Sequence, residues 1–191
     1  MRWIAIFLWV LFVLGSGPSA SIAQAQQGRS ARFPADVRPI KPFSYVCLPC
    51  TGPYTGYAEA LKTFLDEVAK GGVRPTAPLM TVYWNSALQV KPEGLKWDIG
   101  YPVAEGTKSQ GMLVVKRFPC PLVATTIHTG SYLTTAKTVA ALYGWLRQQR
   151  IPPAPGPTVE HYLDPDPTAV PDERKRTAIW VPVRPRRMPR R

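Results

Sequence analysis

An internal repeat is the feature of this sequence that most restricts its fold. Residues 51–84 and 128–165 both run from a glycine-containing turn into an apolar-striped helix, and then through a proline-rich connection into an extended segment. The same residue recurs 78 to 80 positions later in five pairs: Gly52 and Gly130, Tyr54 and Tyr132, Tyr83 and Tyr162, Ile99 and Ile179, and Val103 and Val183. Because the spacing shifts by only two positions along this series, we infer a duplicated structural unit.

Each copy is predicted to have the order β-α-β-β. Apolar periodicity and turn residues predict strand 43–50, helix 57–70, and strands 79–85 and 96–103 in the first copy. The second copy is predicted to contain a strand over 112–128, helix 133–149, and strands 158–163 and 176–183. Pro119 and Pro121 interrupt the first of these strands, which is therefore expected to be bent or split.

A single β-α-β-β unit leaves its helix and its sheet poorly covered, so two units should associate. We therefore predict an α+β fold in which the duplicated units form one antiparallel sheet, with two helices on one face and pseudo-twofold symmetry. The junction between the copies is where a cleft is expected.

The first 25 residues have the pattern of a secretory signal peptide. Arg2 precedes an apolar run from Ile4 to Leu14, and small residues lead to Ala25, after which cleavage is expected. This run is shorter than the roughly 20 residues that a membrane-spanning helix needs, so an uncleaved N-terminal anchor is the weaker alternative. We expect a periplasmic or secreted protein.

The remaining chain is predicted to hold one domain between two irregular segments. Residues 26–42 are polar and interrupted by prolines, which is typical of a linker. Residues 43–183 hold the repeats, at about 43–103 and 112–183, and a chain of 191 residues is too short for two ordinary domains. Residues 184–191 combine five arginines with two prolines, so we expect a disordered basic tail.

The formal net charge of +12 bears on the partners of the chain. In an exported protein, a basic tail can dock on an anionic envelope surface, or it can simply be solvated. The charge does not indicate nucleic-acid binding, because the envelope contains no genome. The oligomeric state is left open.

Cys47, Cys50 and Cys120 do not define a cofactor site. One C-x-x-C with no second pair offers too few ligands for zinc, and these cysteines do not open a helix as in thioredoxin-type redox proteins. A bridge between Cys47 and Cys50 would need a turn at Pro49, because residues three apart in a strand are about 10 Å apart. The disulfide state is left open, and no metal or cofactor is expected.

Glu160 breaks the symmetry of the repeat, because the equivalent position in the first copy is Thr81. An unshared residue near a pseudo-twofold axis is a candidate for the one-sided part of a binding site. Alternation along strand 158–163 places Glu160 with Thr158 and Tyr162, opposite Val159, His161 and Leu163. Read by hydrophobicity alone, this pattern predicts that Glu160 faces water.

Three segments resemble the GyrI-like small-molecule-binding family, which includes the effector-binding domains of AraC-type and MerR-type regulators. They are residues 128–132 (HTGSY), 157–165 (PTVEHYLDP) and 177–183 (TAIWVPV). The resemblance implies a duplicated β-α-β-β domain, which agrees with the repeat found independently. It also implies that Glu160 lies in a ligand cleft among aromatic residues. No helix-turn-helix domain precedes the domain, so a regulator's role in transcription is not expected.

The resemblance and the aromatic content together suggest a set of ligand-binding residues. Besides Glu160, the candidates are aromatic: Tyr162, Tyr83, Tyr132, Tyr54, Tyr57, Tyr101 and Trp180. A shielded carboxylate favours a cationic ligand, and aromatic faces add cation-π attraction. His128, at a strand end, and His161, which alternates away from Glu160, are interpreted as structural.

Three functions are compatible with these features. The first is an exported protein that binds organic, possibly cationic, small molecules in an aromatic cleft with one acidic residue. The second is an envelope hydrolase or hydratase with Glu160 as catalytic general base and Tyr132 or Tyr162 as donor. The third is an interaction protein that its basic tail docks to the envelope. A binding protein is favoured over an enzyme because no further catalytic group is evident.

Overall fold

An eight-stranded antiparallel sheet with two helices makes up the structure, a computed structural model that describes residues 33–166 and 169–185. The predicted signal peptide, the first part of the predicted linker and residues 186–191 of the predicted tail lie outside the described residues. The α+β fold class is confirmed. Among the described residues, no helix is long and apolar enough to cross a membrane.

The strands and helices follow one another in two similar series. The first series is β1 (Ala35–Pro39), β2 (Ser44–Thr51), α1 (Tyr57–Lys70), β3 (Met80–Tyr83) and β4 (Lys96–Val103). The second is β5 (Val114–Arg117), β6 (Leu122–Thr129), α2 (Thr135–Gln148), β7 (Thr158–Tyr162) and β8 (Arg176–Pro182). Helix α1 has the predicted bounds, and the predicted strand 112–128 is split at its prolines into β5 and β6.

The sheet order β1-β6-β8-β7-β3-β4-β2-β5 joins the two copies at its centre. Strand β3 pairs with β7 in a register that sets Thr81 directly opposite Glu160. These are the two positions that the repeat makes equivalent, so the pseudo-twofold axis passes between them. The predicted symmetry is therefore present in the hydrogen-bonded pairing.

Strand β1 lies within the segment predicted to be a linker, residues 26–42, so that prediction needs correction at Ala35–Pro39. It pairs with β6 of the second copy, whereas β5 pairs with β2 of the first copy. Each copy thus contributes one edge strand to the other half of the sheet, and the repeat is β-β-α-β-β. Pro34 before β1 and Pro39 at its end hid the strand, because proline cannot donate a ladder hydrogen bond and occurs at strand ends and edges.

Both helices pack on one face of the sheet, each over its own half. Phe64 of α1 is fully buried among residues such as Val46 and Ile99. Leu142 and Leu146 of α2 are fully buried against residues that include Ile179. The helices begin after glycine corners with a positive φ, 101° at Gly52 and 136° at Gly130, which explains why the repeat retains glycine there.

The other face of the sheet is covered by its own connections. Ile40 and Phe43 precede β2, and Phe118 precedes β6; all three pack on a core that includes fully buried Tyr45 and Met80. The two connections join by equivalent hydrogen bonds, in which Ile40 N donates to Pro121 O and Phe118 N donates to Phe43 O. Apolar burial on both faces makes this sheet the centre of the domain.

Asp98 is a buried carboxylate on this second face. It is 2% exposed and accepts hydrogen bonds from Tyr45 Oη at 3.1 Å and from Trp84 Nε1 at 2.8 Å. The Lys116 ammonium donates to both carboxylate oxygens, at 2.8 and 2.9 Å. Since Lys116 belongs to β5, this ion pair links the edge strand to β4 across β2.

The three cysteines are free thiols, with Cys47 and Cys120 buried. Cys47 and Cys50 both lie in the regular strand β2, whose alternation directs their side chains to opposite faces. Among the described residues, no group of three or more His, Cys, Asp or Glu side chains could hold a metal ion.

We predict that Asp98→Asn lowers the free energy of unfolding by about 2–4 kcal/mol, because the Lys116 ammonium loses its anionic partner in a largely buried setting. Urea denaturation measures the change. Glu105→Gln is the matched control, since its ion pair with Arg117 joins side chains that are 74% and 61% exposed, and it should cost less than about 1 kcal/mol. Equal losses in both variants would contradict this role of Asp98.

Candidate functional site

The candidate site lies at the centre of the helix-covered face, where the two copies meet. Glu160 is the third residue of β7 and is flanked by Thr81 of β3 and Ile179 of β8. Its side chain is only 6% exposed. The prediction from hydrophobicity alone, that Glu160 faces water, is therefore wrong.

Hydroxyl groups surround the Glu160 carboxylate. Tyr83 Oη donates to Glu160 Oε2 at 3.2 Å, and Tyr162 Oη donates to the same oxygen at 3.4 Å. The Thr135 hydroxyl, at the start of α2, donates to the Tyr132 carbonyl oxygen at 3.0 Å and lies close enough to Glu160 to lower the pKa of that carboxyl. The carboxylate is thus held by side chains from both copies.

A second layer of hydroxyls continues from Tyr162. Its Oη lies 2.9 Å from Thr81 Oγ1 and accepts from Tyr57 Oη at 3.2 Å, while Tyr57 Oη and Thr81 Oγ1 are 3.0 Å apart. Each hydroxyl carries one proton. Because Tyr162 gives its proton to Glu160, Thr81 and Tyr57 donate toward Tyr162, and the chain of hydrogen bonds is directed at the carboxylate.

Burial raises the pKa of Glu160, because a low-dielectric environment disfavours the charged form. The hydroxyls of Thr135, Tyr83 and Tyr162, and the nearby His128, oppose this effect. Burial raises the pKa of the tyrosines nearest to Glu160, and the charge of Glu160 adds to the increase in each: Tyr54, Tyr57, Tyr83 and Tyr162. The site is one electrostatically connected group.

The repeat explains how this group is built. Tyr83 and Tyr162 are equivalent, as are Tyr54 and Tyr132, so the aromatic walls are shared by both copies. Two other equivalent pairs differ between the copies: Thr81 with Glu160, and Tyr57 with Thr135. These two differences place the acid and the Thr135 hydroxyl near it in the second copy, whereas Thr81 and Tyr57 of the first copy hydrogen-bond to Tyr162.

The aromatic rings form edge and stacked contacts around Glu160. Tyr54 meets Tyr83 edge-on at 5.4 Å between ring centroids, and Tyr132 meets Tyr162 at 4.9 Å. Tyr57 stacks on Trp97 at 5.6 Å. Trp97 and Thr135 therefore join the predicted residues, although the hydrophobic pattern does not single them out. In the sequence, only the equivalence of Thr135 with Tyr57 in the repeat could have indicated that Thr135 belongs to the site.

The structure separates two predicted residues from this group. The prediction that Trp180 lines the cleft is wrong, because alternation along β8 turns Trp180 to the opposite face from Ile179, where it packs on Phe43 and Phe118. Tyr101 is on the helix face but packs against Phe64 under α1, with ring centroids 5.4 Å apart.

The two histidines lie on opposite faces. His128 is buried on the helix face, where Nδ1 lies 2.8 Å from Thr138 Oγ1 and Nε2 lies 3.1 Å from Ser131 O. His161 is buried on the other face, 4.1 Å from the Trp180 ring, and burial lowers its pKa to about 4. Neither arrangement resembles a nucleophile with its base.

Asp98 and Glu160, the two carboxylates that are buried among the described residues, differ in their charged partners. Asp98 is neutralised by Lys116, whereas Glu160 forms no salt bridge with a lysine or arginine of residues 33–166 and 169–185. Glu160 is held by neutral hydroxyls alone, apart from the nearby His128. A positive charge entering the cleft would therefore meet an anion that the described residues leave without a close cation.

The structure thus shows a duplicated α+β domain in which a buried acid lies among tyrosines next to the pseudo-twofold axis. The sequence matches the GyrI-like small molecule binding domain over residues 34–184, and the chain belongs to this family. No curated protein matches the chain at the sequence level.

Solved structures share the fold at low sequence identity. The EcmrR C-terminal domain superimposes with a TM-score of 0.69 and 20% identity, covering 80% of this chain and 98% of that one. SAV2435 bound to tetraphenylphosphonium gives a TM-score of 0.60 and 12% identity, covering 78% and 93%. A hydrolase from Listeria innocua gives 0.59 and 14%, covering 78% and 91%.

We predict that Glu160→Gln makes the domain more stable at neutral pH but not at pH 4. The folded-state pKa of Glu160 is raised, so its protonated form is favoured by folding, and this stabilisation is lost as the pH rises through the folded value. The glutamine variant does not ionise and keeps its stability. Each unit of pKa elevation corresponds to about 1.4 kcal/mol.

Thermal unfolding from pH 4 to pH 8 measures this difference, and the gap in melting temperature should widen with pH. Glu59→Gln, which changes an exposed glutamate of α1, should follow the wild type throughout. A constant gap between Glu160→Gln and the wild type at all pH values would count against an elevated pKa.

Proposed function

We propose that this protein binds organic cations in the cleft around Glu160. The observation that carries the proposal is a carboxylate 6% exposed with no ion-pair partner among the lysines and arginines of the described residues. Burying an unpaired anion is costly unless a partner replaces its lost hydration. A cationic ligand supplies that partner, and the raised pKa reflects the same cost in the ligand-free protein.

The walls of the cleft suit a cation with aromatic substituents. Tyrosine and tryptophan faces attract a cation by about 0.5–2 kcal/mol each when desolvated. The aromatic residues around Glu160 include Tyr54, which lies edge-on to Tyr83. Tyr54 is 36% exposed, so a ligand that enters the proposed cleft can contact it. SAV2435, which shares this fold, was solved with tetraphenylphosphonium, a cation of this kind.

We expect tetraphenylphosphonium to bind the wild type and to bind Glu160→Gln about tenfold or more weakly, because the variant removes the buried negative charge of Glu160 while keeping the shape of the side chain. Isothermal titration calorimetry at pH 7.5 measures both affinities. Glu59→Gln serves as the matched control and should bind like the wild type. Equal affinities for the wild type and Glu160→Gln would remove Glu160 from the binding site.

We further propose that the protein is exported. The support is the pattern of residues 1–25, in which Arg2 precedes the apolar run Ile4 to Leu14 and small residues precede Gln26. Together with the cleft, this pattern favours a role in binding small molecules outside the cytoplasm.

Expression of the whole chain in a Gram-negative bacterium should yield a periplasmic protein that begins at Gln26, as measured by intact mass after osmotic shock. A chain that lacks residues 1–25 should remain in the cytoplasm and is the control. Recovery of the uncleaved chain in the cytoplasmic fraction would contradict export.

A further inference from the structure

Two buried hydroxyls near Glu160 have no hydrogen-bonding partner among the described protein groups. They are Thr177 Oγ1 and Tyr132 Oη. Thr177 is fully buried, and the Tyr132 hydroxyl oxygen is itself inaccessible although its ring is half-buried. Most buried hydroxyls in proteins are paired, so two exceptions around one residue, Tyr162, call for an explanation.

Both hydroxyls belong to the surroundings of Tyr162. Thr177 of β8 pairs with Tyr162 of β7 on one side and with His128 of β6 on the other, which places it on the helix-covered face. The ring of Tyr132 contacts that of Tyr162 at 4.9 Å. Tyr162 in turn donates its proton to Glu160. The two hydroxyls therefore flank the second-copy side of the cleft.

The polar neighbours of these hydroxyls are already engaged. Both ring nitrogens of His128 contact Thr138, Ser131 and Thr134, and Tyr162 Oη contacts Glu160, Thr81 and Tyr57. The Thr135 hydroxyl donates to the Tyr132 carbonyl oxygen and interacts with Glu160. A partner for Thr177 and Tyr132 must therefore come from outside these groups.

Two other buried polar atoms also lack a partner among the described residues, but each lies elsewhere. Trp145 Nε1 belongs to the apolar cluster under α2, and His161 Nε2 lies on the opposite face of the sheet. Only Thr177 and Tyr132 combine an unpartnered hydroxyl with a position next to the network around Glu160.

We propose that Thr177 and Tyr132 form a polar subsite of the cleft, which takes a neutral hydrogen-bonding group of the ligand beside the cationic centre that Glu160 holds. This inference rests on the proposed function. A hydroxyl both donates and accepts, so the subsite suits a hydroxyl, amide or carbonyl group. The ligand class is thereby narrowed from aromatic cations in general to aromatic cations that carry such a group.

Specificity follows from the cost of unpaired hydroxyls. A site that hydrogen-bonds a ligand group discriminates against an analogue without that group, because its own buried polar atoms are then left unpaired. A wholly apolar cation would satisfy Glu160 but leave Thr177 and Tyr132 without partners. The protein should therefore prefer the polar member of a matched pair of cations.

Tetraphenylphosphonium and its hydroxyphenyl and carbamoylphenyl derivatives, with the group at the meta or para position, form such a set. Calorimetry on the whole protein should show at least one polar derivative binding about three- to tenfold more tightly than tetraphenylphosphonium. Thr177→Val and Tyr132→Phe should each reduce that preference to less than about twofold, and Thr177→Val should leave the affinity for tetraphenylphosphonium within about twofold. Thr125→Val, a buried threonine on the opposite face, should keep the preference.

The outcomes separate this inference from the proposed function. Absence of binding by every cation would refute the cationic cleft and the subsite with it. Binding of tetraphenylphosphonium through Glu160, with no preference for any derivative or with a preference that survives both substitutions, would refute the subsite alone. Ligand-free Thr177→Val should melt at or above the wild-type temperature, whereas a fall of several degrees would show that its hydroxyl serves the fold.

Discussion

The antiparallel pairing of β3 with β7 is the contact on which the rest of the structure depends. It joins two copies of one unit into a continuous sheet, and its register sets Thr81 opposite Glu160 on the pseudo-twofold axis. The exchanged edge strands β1 and β5 then tie each copy to the other half. Since each helix covers its own half of the sheet, the joint between the copies is where a cleft can form.

A buried carboxylate at the joint between the two copies opposes folding, and it supports the proposed binding of a cation. The low-dielectric surroundings raise the pKa of Glu160, and the hydroxyls of Tyr83, Tyr162 and Thr135 offset only part of the cost of its charge. Asp98, on the other face, shows how the same fold buries a carboxylate for stability, with an ammonium partner at 2.8 Å. The comparison supports a binding role for Glu160.

The duplication also explains why the residues around Glu160 are arranged asymmetrically although the fold has pseudo-twofold symmetry. The tyrosine pairs are retained, so both copies contribute similar aromatic surfaces. The Thr81–Glu160 and Tyr57–Thr135 pairs differ, so charge and hydrogen bonding are one-sided. The unpartnered hydroxyls of Thr177 and Tyr132 lie in the second copy, beside Tyr162.

The sequence by itself determined the duplication and the helix bounds of α1, and it singled out Glu160 as a position where the two copies differ, because residue spacing and local periodicity carry those facts. It did not reveal β1, whose pairing partner is almost ninety residues away in β6. Only the tertiary structure decided that Glu160 is buried, that Trp180 points away from it and that Thr135 contacts it. These outcomes depend on which face the helices cover and on which strands become neighbours, and long-range packing fixes both.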